Sequence, residues 1–212
     1  MAPSLLLAAF PPELAGLDAA PPAGWRVATI GVGAIAAAAA TARLLGEARP
    51  ARVLLVGTCG AYDGRLRVGD VLAASPVIAA SLEELDGRAY RPEVERTRWE
   101  ATWALPAAFP VHAVAVPPAI TATAEGARRL AAVAAAEHLE ASGVLAACHA
   151  AGVPVAAALA VANRCGPDAN AEWRANHARV SRALLAALAP VLAAPGRPGW
   201  NRGGSNGGPP VW

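Results

Sequence analysis

The sequence contains no lysine: all 18 basic residues among its 212 positions are arginine. A lysine Schiff base and the phosphate-gripping lysine of a P-loop are therefore excluded. Cysteine is sparse, with Cys59, Cys148 and Cys165 making no CxxC pair. Three thiols at those spacings form neither a disulfide framework nor a zinc site, and a reduced compartment is expected. Charged residues are 16% of the chain, aromatics 5%, and the net charge is +2 without a basic cluster. Such a balance gives no electrostatic footprint for nucleic acid or an anionic membrane surface. Long apolar runs are missing too, because Arg, Glu, Gly or Pro breaks each alanine-rich stretch short of the ~20 residues that cross a bilayer.

What is present in quantity is alanine, 58 residues of it, within a chain that is 55% apolar. That is enough apolar surface for the core of one domain, and it excludes disorder as a description of the whole chain. So broad a use of alanine says little about function, and the positions holding something else say more. Leu5 to Phe10 is apolar, but no basic residue precedes it and Pro11-Pro12-Glu13 follows at once. It reads as a first buried strand rather than a secretory signal, and a cytoplasmic protein is expected.

Short runs of Val, Ile and Leu alternate with longer helix-compatible segments, the pattern of an α/β domain with a largely buried sheet. Strands are predicted near 4–10, 25–30, 52–57, 70–75, 111–116 and 153–160. Helices are predicted at 34–47, 124–134, 140–151 and 171–193, with Gly152-Val153-Pro154 ending the third. The polar, proline-interrupted span 76–104 is expected to make an excursion over the core. Residues 195–212, dominated by Gly, Pro, Arg, Asn and Ser, are expected to be a flexible tail beyond a domain of residues 1–194.

Two glycine turns stand out. Gly31-Val32-Gly33-Ala34-Ile35-Ala36 follows a predicted strand and opens a helix, matching the loose dinucleotide pattern GxGxxA. That pattern needs an acidic residue ~20 positions on, and Val53-Leu54-Leu55-Val56-Gly57 supplies none. The glycines then read as a tight strand-to-helix turn, and no nucleotide cofactor is expected. The second turn, Gly57-Thr58-Cys59-Gly60-Ala61, ends an apolar strand where backbone amides can face a small ligand beside a hydroxyl. It is followed by Leu66-Arg67-Val68-Gly69-Asp70.

The stretch from Val53 to Asp70 resembles the nucleoside phosphorylase and nucleosidase superfamily, whose signature is a strand, a GTCGA-type turn and a short loop ending in VGD. Two further segments resemble it in the same order. Leu5 to Leu14 looks like the family's first strand with the acidic residue that activates the attacking water, which places that role on Glu13. Glu137 to Ala141 resembles the family's carboxylate signature, with Glu140 as the binder of ribose hydroxyls and Leu139 replacing the methionine beneath the sugar. The resemblance implies a single three-layer α/β domain with a central mixed, mostly parallel β-sheet flanked by helices. It also implies a homo-oligomer, commonly a dimer, acting on a small purine nucleoside without cofactor, metal, nucleic acid or membrane. Without the resemblance, Glu13 and Glu140 can be read as helix-start charges, Thr58 as a turn cap and Cys59 as a small buried residue. His138 has no partner at metal-ligand spacing.

Within the superfamily, phosphorylases sharing this turn carry an arginine two residues before its first glycine, where Leu55 stands here. Leucine offers no donor to an oxyanion, so hydrolysis is expected over phosphorolysis, with Thr58 and the Gly60 amide holding the water. Asn163 stands where adenine-specific nucleosidases carry aspartate. An amide can both donate and accept toward a 6-oxopurine. Together with Gly166-Pro167-Asp168-Ala169-Asn170-Ala171-Glu172-Trp173, this looks most like the futalosine hydrolases, which release hypoxanthine in a menaquinone route. Leu139, and Leu159 to Ala162 where that branch has Arg-Ala-Ile-Ser, depart from its pattern. A phosphorylase, a methylthioadenosine/S-adenosylhomocysteine nucleosidase and a non-catalytic nucleoside binder are the alternatives.

Overall fold

Residues 2–17 and 21–194 are described by the computed structural model. The tail expected at 195–212 lies outside them. The strands are β1 (Ser4–Ala8), β2 (Trp25–Thr29), β3 (Arg52–Ala61), β4 (Val71–Ala79), β5 (Arg98–Trp99), β6 (Val111–Val116), β7 (Ala136–Glu137) and β8 (Val155–Arg164). The helices are α1 (Ala34–Ala48), α2 (Leu82–Leu85), α3 (Ala124–Leu130), α4 (Ala141–Ala150), α5 (Ala169–Ala187) and α6 (Ala189–Ala193), with a 3-10 turn at Pro11–Leu14.

Apolar residues on both sides of a strand require cover on both sides, and this is what β1, β3 and β8 receive. Leu5, Leu7, Val53 and Leu55 pack with Leu44 and Leu45 of α1 and Val144 and Leu145 of α4. Their alternates Leu6, Leu54 and Val56 pack with Val180, Leu184 and Leu185 of α5 and with Val191 and Leu192 of α6. The α/β class and the mixed, mostly parallel sheet with flanking helices hold. The sheet is not a flat middle layer, however: β3, β8, β4, β6 and β7 pair in turn and β7 returns to β3, closing a ring. β1 and β2 extend the sheet from β3.

Several element limits differ from the sequence reading, each for a local reason. β3 and β8 run on past their expected ends at 57 and 160 because they pair with each other as far as Ala61 and Arg164, across a bulge at Cys59/Gly60. β4 passes through Pro76 because the strand bulges against β6 between Ala74 and Val77, where a missing N–H is tolerated. The expected last helix is two, α5 and α6, with Pro190 in the first turn of the second. The 76–104 span is partly core. Trp103 donates its indole N–H to the Val53 carbonyl at 3.2 Å, and Arg52 lies between Trp25 and Trp103, 4.9 and 5.0 Å from their rings.

One contact matters for the site. A Cβ at Gly143 would stand 2.1 Å from the Ala34 carbonyl oxygen, so glycine alone lets α4 lie this close to the start of α1. The N-termini of both helices are thereby brought together at the ends of β2 and β7.

Candidate active site

Glu13 sits in the 3-10 turn directly after β1 and is only 3% exposed. Its Oε2 accepts the Ala9 N–H at 3.1 Å. Its Oε1 accepts the Thr58 N–H at 2.8 Å and the Thr58 hydroxyl at 2.9 Å. Burial pushes its pKa above the ordinary 4.5, while His138 and the Thr58 and Ala9 donors pull the other way. A carboxylate so held is fixed in direction and more basic than one in water.

Thr58 is oriented in turn. The Trp173 indole N–H, a donor only, reaches Thr58 Oγ1 at 3.1 Å, so the hydroxyl accepts from Trp173 and donates to Glu13. Trp173 stacks on His177 at 4.3 Å and leans on Phe10 at 5.9 Å, making an aromatic wall from α5 and the β1 turn. Cys59, the next residue, is buried, and burial together with Glu13 and Glu137 drives its thiol far above the ordinary range. It is no nucleophile.

Glu140 stands immediately before α4 and is 4% exposed. Its Oε1 accepts the Gly33 N–H at 2.7 Å. Gly33 has φ +93°, a backbone conformation that favours glycine, so the GxGxxA turn does more than join strand to helix: it presents an amide to Glu140. This role was invisible in the sequence, since the two residues lie 107 positions apart.

Two neighbours of Glu140 were given no role by sequence reasoning. His138 is 4% exposed, and its Nδ1 accepts the N–H groups of Glu140 and Ala141, each at 3.2 Å. Two donors aimed at Nδ1 place the ring hydrogen on Nε2, and Glu140 Oε2 lies 3.3 Å from the same Nδ1. Glu137, also buried, accepts the Thr121 N–H at 3.1 Å and the Thr121 hydroxyl at 2.5 Å. The signal for both was their polarity in an otherwise apolar run.

Asn163 is buried on β8, in register with Gly60 of β3, which in turn pairs with Glu137 of β7. A Cβ at Gly60 would be 3.0 Å from Asn163 Nδ2 and 3.6 Å from Glu137 Cγ, so the bare strand lets the two side chains converge. Asn163 Nδ2 donates to the Arg164 carbonyl at 3.0 Å, leaving its second N–H and its Oδ1 for another partner.

All six residues singled out in the sequence, Glu13, Thr58, Gly60, Leu139, Glu140 and Asn163, line one cavity of about 400 Å³. Its lining includes Glu137, His138 and Trp173 but no arginine. Leu55 is wholly buried in the core and does not reach it. Arg164 is turned away, donating to Glu172 at 2.7 Å. The result is a pocket with three carboxylates and no cationic clamp, suited to positive charge developing in a ligand. Among the described residues no cluster of three or more His, Cys, Asp or Glu is placed to hold a metal, and no helix is long and apolar enough to cross a membrane.

The family model for the phosphorylase superfamily matches residues 25–139. A 5'-methylthioadenosine/S-adenosylhomocysteine nucleosidase of Psychromonas ingrahamii is 36% identical over 80 residues, which is 38% of this chain and 31% of that protein. The matched segment thus spans about a third of the relative. Among solved structures, a futalosine hydrolase mutant of Helicobacter pylori superposes with TM-score 0.76 at 18% identity, over 89% of this chain and 97% of the other. The 5'-methylthioadenosine/S-adenosylhomocysteine nucleosidase of the same organism, solved with butyl-thio-DADMe-Immucillin-A, gives TM-score 0.77 at 18% identity, over 91% and 97%. At these identities the structural likeness is one of fold.

Proposed function

Because the chain belongs to the phosphorylase superfamily, we propose that it is a nucleosidase that hydrolyses the N-glycosidic bond of a purine nucleoside. The observation that carries this is the buried Glu13 carboxylate, held by three donors at the wall of a cavity that lacks a cation. In the proposed step, Glu13 takes a proton from water as the water oxygen bonds to C1′ of the ribose. The C1′–N9 electron pair leaves with the purine, which takes a proton from solvent. Glu13 and Glu140 oppose the positive charge that the sugar acquires, and the free oxygen of Glu140 accepts ribose hydroxyls. Thr58 and the Gly60 amide hold the water, and Leu139 packs beneath the sugar.

Phosphate as nucleophile is disfavoured by the same lining. Binding an oxyanion calls for a fork of donors, and here it would meet three carboxylates instead. The base is read as a 6-oxopurine. Asn163 can donate to a ring nitrogen or 6-oxo group, and the acceptor-only Glu137 beside it suits a ring N–H and repels the lone pair that adenine presents there. The most specific form of this reading is hydrolysis of futalosine to hypoxanthine and dehypoxanthinyl futalosine, by a cytoplasmic homo-oligomer. The Psychromonas relative supports a second reading, a methylthioadenosine/S-adenosylhomocysteine nucleosidase.

Incubation with futalosine, inosine and methylthioadenosine, followed by separation of the released bases, tests both readings. Hypoxanthine released fastest from futalosine is the expected result. Preference for the adenine nucleoside would transfer the assignment to the second reading.

A further inference from the structure

Gly57 is a buried bare notch on β3, one residue before Thr58 of the cavity lining. A Cβ built there would lie 2.7 Å from His138 Nε2, 3.3 Å from Glu13 Oε1 and 3.5 Å from Glu13 Oε2, so the imidazole and the carboxylate face one small space. The Nδ1 side of His138 is committed to the two amides that open α4, which fixes the ring plane and puts the proton on Nε2. Nε2 then faces the space it shares with the Glu13 carboxylate. A buried imidazole locked on one edge and open on the other is built to act through its open edge.

We propose that His138 is a positioning residue for the reaction: its Nε2–H, aimed into the notch over Gly57, keeps Glu13 in the ionised form that accepts the proton of the attacking water. This rests on the nucleosidase reading for its chemistry, although the pairing of His138 with Glu13 does not. The groups facing Glu13 are His138 from the turn before α4, the Thr58 donors and the neutral Cys59 thiol from β3, and the Ala9 amide from the turn after β1. Glu140 and Glu137 flank His138 in sequence and line the same cavity. Of the titratable groups among these, His138 is the one that favours the ionised carboxylate. It opposes the burial that favours the protonated acid.

Two variants separate this role from support of α4. In His138→Asn the amide oxygen takes the place of Nδ1 and still accepts both backbone N–H groups, but nothing reaches the notch. In His138→Gln the amide nitrogen takes the place of Nε2 and the α4 amides lose their acceptor. The Glu13 carboxyl is titrated by infrared difference spectroscopy against Glu13→Gln, and base release is followed in parallel. His138→Asn is expected to raise the Glu13 midpoint by about one pH unit and to lower kcat about tenfold with KM little changed, at an unfolding temperature close to that of the wild type. His138→Gln is expected to recover most of both losses at a lower unfolding temperature. An unmoved Glu13 midpoint in His138→Asn would overturn the proposal. So would losses in both variants that simply follow stability. A wild-type protein that releases no base from any nucleoside would sink the nucleosidase reading, and the titration would still decide the coupling.

Discussion

Glu13 and Thr58, 45 residues apart, are joined at a single carboxylate oxygen by two hydrogen bonds, one from the Thr58 amide at 2.8 Å and one from its hydroxyl at 2.9 Å. The same hydroxyl accepts from Trp173, so the end of β3, the turn after β1 and α5 meet at one oxygen atom. Thr58→Val keeps the shape and removes that atom. It is expected to lower stability by about 1–2 kcal/mol, because the Trp173 N–H is left without a partner, and to lower kcat about tenfold. Thr58→Ser, which restores the hydroxyl, is expected to recover most of both. Urea denaturation and steady-state kinetics check the pair.

The buried Glu13 also sets a pH dependence. Its pKa in the folded protein lies above the 4.5 of an ordinary glutamate, and the proposed step needs the ionised form. The acid limb of kcat/KM is therefore expected above pH 4.5. For stability the sign follows from the raised value. The contribution of Glu13 is fully present below 4.5 and is lost as pH rises through the folded pKa. Denaturation from pH 4 to 7 is expected to show wild type losing ground against Glu13→Gln over that interval; a constant difference would contradict it.

Two glycines test the separation of site from scaffold. Gly57→Ala places a methyl 2.7 Å from His138 Nε2 and 3.3 Å from Glu13 Oε1. It is expected to abolish most turnover at a cost in stability of about 1–3 kcal/mol. Gly143→Ala places one 2.1 Å from the Ala34 carbonyl, a clash between two helix backbones, and is expected to destabilise the fold more than Gly57→Ala does. Thermal unfolding and base release, measured on both variants, give the order.

Asn163→Asp removes the amide donor on the base side of the cavity. The ratio of kcat/KM for inosine over adenosine is expected to fall about tenfold or more, since a buried polar group left unpaired discriminates strongly. An unchanged ratio would move base recognition away from Asn163.

Much of the site was legible because the chain is so apolar. Glu13, Thr58, Glu140 and Asn163 are polar residues at the ends of apolar runs, and their order along the sequence matched one family pattern. The strand ends were less legible. Gly57 and Gly60 read as a turn, yet β3 runs through both because β7 and β8 pair with it there. The closing of the sheet into a ring depends on those same pairings, which no local pattern reveals. Gly33 and His138 were missed for a related reason. The first meets a residue 107 positions away through its backbone amide, and the second is held at one ring nitrogen by the two amides that open α4.

In the proposed reaction, water activated by Glu13 is the nucleophile. Turnover of futalosine or inosine in heavy-oxygen water, with and without phosphate, tests it most directly. One solvent oxygen is expected at C1′ of the released sugar, with a rate indifferent to phosphate and, in Glu13→Gln, loss of turnover with nucleoside binding largely retained. A sugar 1-phosphate formed only when phosphate is supplied would contradict it.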